Sequence, residues 1–250
     1  MKKSIFTLVL CLLFSGLIFG QSEETRSLSS FSKVNAQEGI EVYLKKGDKE
    51  EARVVARNVD IEDVRTDVSL GRLKIHIDDN DRWNRNRDRD VKVYVTYKSI
   101  NALSASSSAS IEAEERLETD GDFDVDVSSS GYIRASLKAD ELTIDASSSG
   151  DLELVVEVNE IEADASSSGD IEIEGSAKSQ DIQVSSGADY DAYDVESEEV
   201  DASASSGGSI KVTASKKVDA RASSGGSVRY KGSPRYVDVS SSSGGSIKRY

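Results

Sequence analysis

Between Leu103 and Tyr250 one phrase occurs eight times: alternating apolar residues, a serine cluster, a glycine or alanine, then the alternation again. Two clear copies are Leu142-Thr143-Ile144-Asp145-Ala146-Ser147-Ser148-Ser149-Gly150-Asp151-Leu152-Glu153-Leu154 and, 19 residues later, Ile161-Glu162-Ala163-Asp164-Ala165-Ser166-Ser167-Ser168-Gly169-Asp170-Ile171-Glu172-Ile173. Registered on the glycine or alanine, the copies fall at Ala109, Gly131, Gly150, Gly169, Ala188, Gly208, Gly226 and Gly245, with spacings of 22, 19, 19, 19, 20, 18 and 19. So short a period leaves no room for a crossover helix, and one unit cannot bury its apolar side alone. Stacking the units about 4.8 Å apart meets both constraints, because each backbone bonds to the next and inward residues form columns. The predicted fold is all-β: a parallel β-helix of about eight rungs of 18–22 residues, roughly 34 Å long at that spacing.

Alternate residues of a strand point to opposite faces. Leu142, Ile144, Ala146, Ser148, Gly150, Leu152 and Leu154 share one parity and are predicted inside; Thr143, Asp145, Ser147, Ser149, Asp151 and Glu153 share the other. The phase therefore predicts an inward serine column of Ser107, Ser129, Ser148, Ser167, Ser186, Ser206, Ser224 and Ser243, with stacked hydroxyls partnering one another. The glycine or alanine two positions on suits a tight corner. Outside, Asp151, Asp170 and Asp189 are predicted to stack, as are Glu153, Glu172 and Asp191, and, on the other arm, Asp126, Asp145 and Asp164. Farther on, the first of these columns becomes Ser209, Ser227 and Ser246, and the second becomes Lys211, Arg229 and Lys248, so the sign of the surface reverses.

Ahead of the repeats, Lys2 and Lys3 precede an apolar run from Ile5 to Phe19, the pattern of a secretory signal peptide over residues 1–20 with cleavage after Gly20. Cys11 fits a lipoprotein acceptor less well, since Leu8-Val9-Leu10 lacks a small residue before it. As Cys11 is the only cysteine, the mature chain would have no disulfide and no cysteine metal site. Residues 21–30 read as a flexible lead and 31–102 as a β-rich N-terminal region, continuous with the repeats of 103–250 in one domain. No other stretch approaches the roughly 18 apolar residues of a membrane span, and export by the general secretory route to the periplasm, outer surface or exterior is expected.

The net charge of −15 argues against nucleic acid as a partner. Its distribution is uneven: residues 122–199 hold 22 acids against 3 bases, while 200–250 hold 9 bases against 3 acids. A dipolar rod of this kind can dock end to end as a homo-oligomer or meet an anionic surface through its last rungs. The acidic columns could hold Ca²⁺, but no Gly-Gly-x-Gly-x-Asp repeat or EF-hand loop is present. The single histidine, His76, has outward parity in a strand, and abundant carboxylates identify no acid–base pair by spacing. No catalytic, cofactor-binding or metal-binding residue and no cofactor is therefore assigned. The loop Arg82-Trp83-Asn84-Arg85-Asn86-Arg87-Asp88-Arg89 combines the only tryptophan with guanidinium groups able to meet sugars or carboxylates.

The serine-glycine-Asp-Ile/Leu phrase in steps of 18–20 residues, behind a β-rich lead ending Val91-Lys92-Val93-Tyr94-Val95-Thr96-Tyr97, resembles the bacterial family called putative auto-transporter adhesin, head GIN domain. The resemblance covers about residues 28–250 and implies a secreted or envelope-associated β-helix without catalytic residues. The chain departs from the usual pattern in its last three rungs, where Gly-Gly-Ser replaces Ser-Gly-Asp, and it shows no C-terminal membrane barrel. The expected function is a non-enzymatic binding protein of the envelope or cell surface, with an unidentified envelope, glycan or protein ligand. Assembly through the β-helix ends and a glycan-active enzyme are the alternatives.

Overall fold

The computed structural model describes residues 21–78 and 89–250. Among these every regular element is a strand, and the repeats form the expected parallel β-helix. Each coil places one strand before its serine turn and one after it. The first kind stacks into a leading face: Lys33–Ala36, Ala102–Ala105, Phe123–Val127, Glu141–Ala146 and Glu160–Ala165 pair in parallel, in register, coil on coil. The second kind builds a trailing face from Glu41–Lys46, Ser110–Ala113, Tyr132–Lys138 and Asp151–Glu157. In Asp170–Val184 and Asp189–Ala204 the chain passes from the trailing face of one coil to the leading face of the next within one bent strand.

The interior follows the predicted parity with one correction. Leu142, Ile144, Ala146, Leu152 and Leu154 are all buried. Ser148 is not: it is exposed, as are Ser107, Ser129, Ser167, Ser186, Ser206, Ser224 and Ser243. The serine cluster is a β-turn and not an extension of the strand. In Ser147–Gly150 the Gly150 amide donates to the Ser147 carbonyl at 2.9 Å, and the two central residues have φ of 51° and 60°. Positive φ at both centres is the signature of a type I′ turn. Two residues are thereby taken out of the alternation, so strand parity resumes unchanged at Gly150.

The turns stack through main chain. Ser149 N–H donates to Ser167 O of the next coil at 3.1 Å, and the same step recurs from Ser108 to Ser129, Ser130 to Ser148 and Gly207 to Ser224. Ala109 and Ala188 close two of the turns, but where glycine does so close approach excludes a side chain: a Cβ on Gly131 would lie 2.3 Å from the Ala105 carbonyl oxygen, and one on Gly245 2.2 Å from that of Ala222.

The N-terminal region joins the same stack. Val34 and Ala36 sit over Leu103 and Ala105, and Val42 and Leu44 over Ile111 and Ala113. Gln37–Ile40 is the turn of this coil, with Glu38 and Gly39 at φ of 65° and 73°. It contains no serine, so the repeat phrase does not reveal it. Arg72–Ile77 and Asp90–Tyr97 lie on this coil in parallel, after which the pairing becomes antiparallel. Val64–Ser69 pairs with Arg72–Ile77, Glu51–Arg57 with Asp90–Tyr97, and Gln21–Ser27 with Glu51–Arg57. The segment expected as a flexible lead is thus a strand as far as Ser27. Arg26 fastens it, donating to the carbonyls of Val64 at 2.5 Å and Ile61 at 2.8 Å.

The opposite end carries no such cover among the described residues. Val237 and Val239 are 47% and 46% exposed, whereas Val218 and Ala220, their equivalents one coil earlier, are fully buried. Among the described residues two polar side chains interrupt the apolar interior, Gln180 and Ser197, and they are bonded to each other. Gln180 stacks between Ile161 and Val200 and is buried; Tyr190 Oη donates to its Oε1 at 2.8 Å, and its Nε2 donates to Ser197 Oγ at 2.5 Å.

Candidate binding surface

Because the coils are in register, outward residues stand in ladders about 4.8 Å apart. The trailing face carries the predicted columns. Asp151–Asp170–Asp189–Ser209–Ser227–Ser246 is one, and Glu153–Glu172–Asp191–Lys211–Arg229–Lys248 the other. The second extends backward through Arg134 and Glu112 to Tyr43 and Tyr94, whose rings stack at 5.2 Å with Arg53 over Tyr94 at 4.0 Å.

The leading face carries Asp126–Asp145–Asp164 as predicted, and beside it a longer acidic ladder not read from the sequence: Asp124, Thr143, Glu162, Asp181, Asp201, Asp219 and Asp238. This column crosses the region where bases accumulate without changing sign. Its neighbours on the same face do change: Asp164 is followed by Gln183, Ser203 and Arg221, and Glu141 and Glu160 by Ser179, Glu199 and Lys217, so toward the last coils the leading face mixes signs while the trailing face turns basic. Like charges at this separation repel by roughly 0.9 kcal/mol in bulk water. Partial burial and then Asp126 and Asp124 hold Asp145 above the usual carboxylate range; burial and then Asp145 and Asp181 do the same to Asp164. On the trailing face Asp170 is raised by burial and by Asp151 and Asp189. Where cations are interleaved the direction reverses: Lys138 and Arg116 hold Glu157 down to about 2.

Two features have shapes suited to recognition. A shallow depression of about 510 Å³ on the trailing face gathers Glu112, Glu153, Glu172 and Glu174 around Arg134, which lies 3.4 Å from Glu153. Beyond it, over the last three coils, Lys211 is paired with Asp191 at 2.6 Å, while Arg229 and Lys248 have no carboxylate partner among the described residues. Lys231 sits 3.9 Å above the Tyr193 ring, and Tyr250 approaches the same ring at 6.3 Å.

His76 is half-buried on the outward side of its strand, opposite Arg65, and its Nδ1 has no partner among the described residues. It joins no serine and carboxylate in a triad there. Trp83 and the arginines from Arg82 to Arg87 lie outside the described residues. The strands on either side of that segment, Arg72–Ile77 and Asp90–Tyr97, lie on the coil of Lys33–Ala36 and Glu41–Lys46. No group of three or more histidine, cysteine, aspartate and glutamate residues among the described residues is arranged to hold a metal ion, and no helix among them is long and apolar enough to cross a membrane.

Residues 30–234 match the family described as putative auto-transporter adhesin, head GIN domain. The chain belongs to this family. Among solved structures, a putative adhesin from Parabacteroides merdae is similar at a TM-score of 0.83 and 16% identity, over 93% of this chain and 97% of that one. A putative adhesin from Parabacteroides distasonis has a TM-score of 0.78 and 19% identity, over 92% and 97%. Another protein from that organism, described as a putative lipid binding protein, has a TM-score of 0.76 and 18% identity, over 93% and 98%. At these identities the likeness is one of fold. No curated protein sequence matches the chain. Head GIN domain membership accounts for the scaffold, on which the coils differ from one another in their outward columns.

Proposed function

We propose that this head GIN domain protein is exported behind the signal peptide of residues 1–20 and acts, without catalysis, as a binding protein of the cell envelope or surface. One observation carries this reading: turns and interior repeat from coil to coil, while the outward columns differ along the stack, passing from carboxylates to Lys211, Arg229 and Lys248 on the trailing face. A scaffold that holds everything constant except its exposed ladders is suited to presenting a surface. The test is binding of purified residues 21–250 to whole cells and to envelope fractions. Saturable binding is expected, and absence of binding to every fraction sinks the reading. The glycan-cleaving alternative must use the depression around Arg134. Product release from a polysaccharide panel, abolished by Glu153→Gln or Glu172→Gln, would replace binding with catalysis.

A second reading, association through coil ends, is favoured by Val237 and Val239, which present the bare interior of the last coil together with an unpaired strand edge. If copies join there, light scattering should show a higher mass that high salt strengthens, and Val237→Lys with Val239→Lys should return the chain to a monomer. A wild-type monomer at all concentrations and salts excludes it.

A further inference from the structure

The last three coils of the trailing face differ from the rest of the molecule in the kinds of group they align. One column is of hydroxyls, Ser209, Ser227 and Ser246; the next is of cations, Lys211, Arg229 and Lys248; the third is Tyr193, Thr213, Lys231 and Tyr250. Asp191 neutralises Lys211, but the charges of Arg229 and Lys248 are unmatched. Tyr193 lies along the face with Lys231 above it, and its hydroxyl is shielded from solvent without a partner among the described residues. Tyr250 is 83% exposed and offers an open ring face.

From this arrangement we infer that the face binds a segment of a linear acidic polysaccharide. Arg229 and Lys248 take its anionic groups, the serine hydroxyls its ring and hydroxyl oxygens, and Tyr250 the apolar face of a sugar. Each group has a counterpart on such a polymer, whereas a lipid surface would call for exposed apolar side chains, which this face lacks. The rung spacing of about 4.8 Å is close to the length of one sugar unit in an extended chain, so successive coils can address successive units. Asp170, Asp189 and Glu172 begin directly beyond Lys211 and repel an anionic chain. The bound segment is therefore confined to the last three coils and runs on past Lys248 and Tyr250. The inference rests on the binding-protein reading and names the class of ligand.

Calorimetric titration with polygalacturonate, dextran sulfate and neutral dextran tests it. Binding to one or both anionic polymers is expected, weakening as salt rises, with none to neutral dextran; which polymer binds separates carboxylate from sulfate recognition. Arg229→Gln with Lys248→Gln should weaken binding at least about tenfold, Arg229→Lys should largely restore it, and Tyr250→Ala should weaken it several-fold. Absence of binding to either anionic polymer overturns the inference, as does binding that the double variant leaves unchanged, or equal binding to anionic lipid vesicles that is indifferent to Tyr250→Ala. If the double variant still binds envelope fractions like the wild type, the binding-protein reading survives and only the ligand assignment fails.

Discussion

At the residue scale the repeat is governed by two positions with opposite requirements. The central turn residues sit in left-handed backbone, which costs a non-glycine residue about 1–2 kcal/mol, yet the early coils place serine at both. From Ser185 onward glycine takes the second of them, at Gly187, Gly207, Gly225 and Gly244, with φ of 73° to 81°. The closing glycine is constrained differently, by the carbonyl of the preceding coil. Ser148→Ala should therefore change stability by less than about 0.5 kcal/mol, because the hydroxyl is exposed. Gly131→Ala should cost about 1–3 kcal/mol, since its methyl would meet the Ala105 carbonyl. Urea midpoints for the two variants check this; a large loss in the serine variant would restore the buried-hydroxyl column.

Between elements, the bond that spans coils inside the solenoid is the Tyr190–Gln180–Ser197 chain. Gln180 occupies a column otherwise filled by Phe123, Leu142, Ile161, Val200 and Val218. Its amide is tolerated because both ends are satisfied, one by the adjoining strand and one near the bend of the coil. Tyr190→Phe leaves Gln180 Oε1 without that donor and should cost about 1–2 kcal/mol. Adding Gln180→Leu should recover part of the loss, since removing both polar partners costs less than orphaning one. Thermal unfolding of the single and double variants measures the coupling; strictly additive losses would show that the pair does not interact.

At the scale of the whole molecule, the acidic ladders set the response to pH and salt. Asp145, Asp164 and Asp170 are held above ordinary carboxylate values, so between those ordinary values and the raised ones the folded chain binds more protons than the unfolded chain. Stability then falls as pH rises through that window, and recovers as pH is lowered through the folded values. Glu157 acts in the opposite sense, its stabilisation lost only as pH falls from the ordinary range toward about 2. The melting temperature is expected to increase as pH is lowered from neutrality toward the ordinary carboxylate range, and at pH 7 to increase with added salt as the ladders are screened. A melting temperature that declines steadily over that descent contradicts the ladder account.

The sequence alone determined the all-β parallel coil, its period, the buried apolar parity and the membership of three outward columns, because strand alternation and a near-constant spacing need no knowledge of neighbours. It was silent on the coil at Lys33–Lys46, whose turn Gln37–Ile40 uses glutamate and glycine in place of serine. It misplaced the serines, because the parity of a strand cannot distinguish two extended residues from two residues folded into a turn. Only the tertiary structure decided that Gln21–Ser27 closes one end, that one acidic column runs from Asp124 to Asp238 along the leading face, and that Arg229, Lys248, Tyr193 and Tyr250 meet on one surface. Those facts depend on which strands lie side by side and on how side chains reach across coils. Local periodicity carries neither.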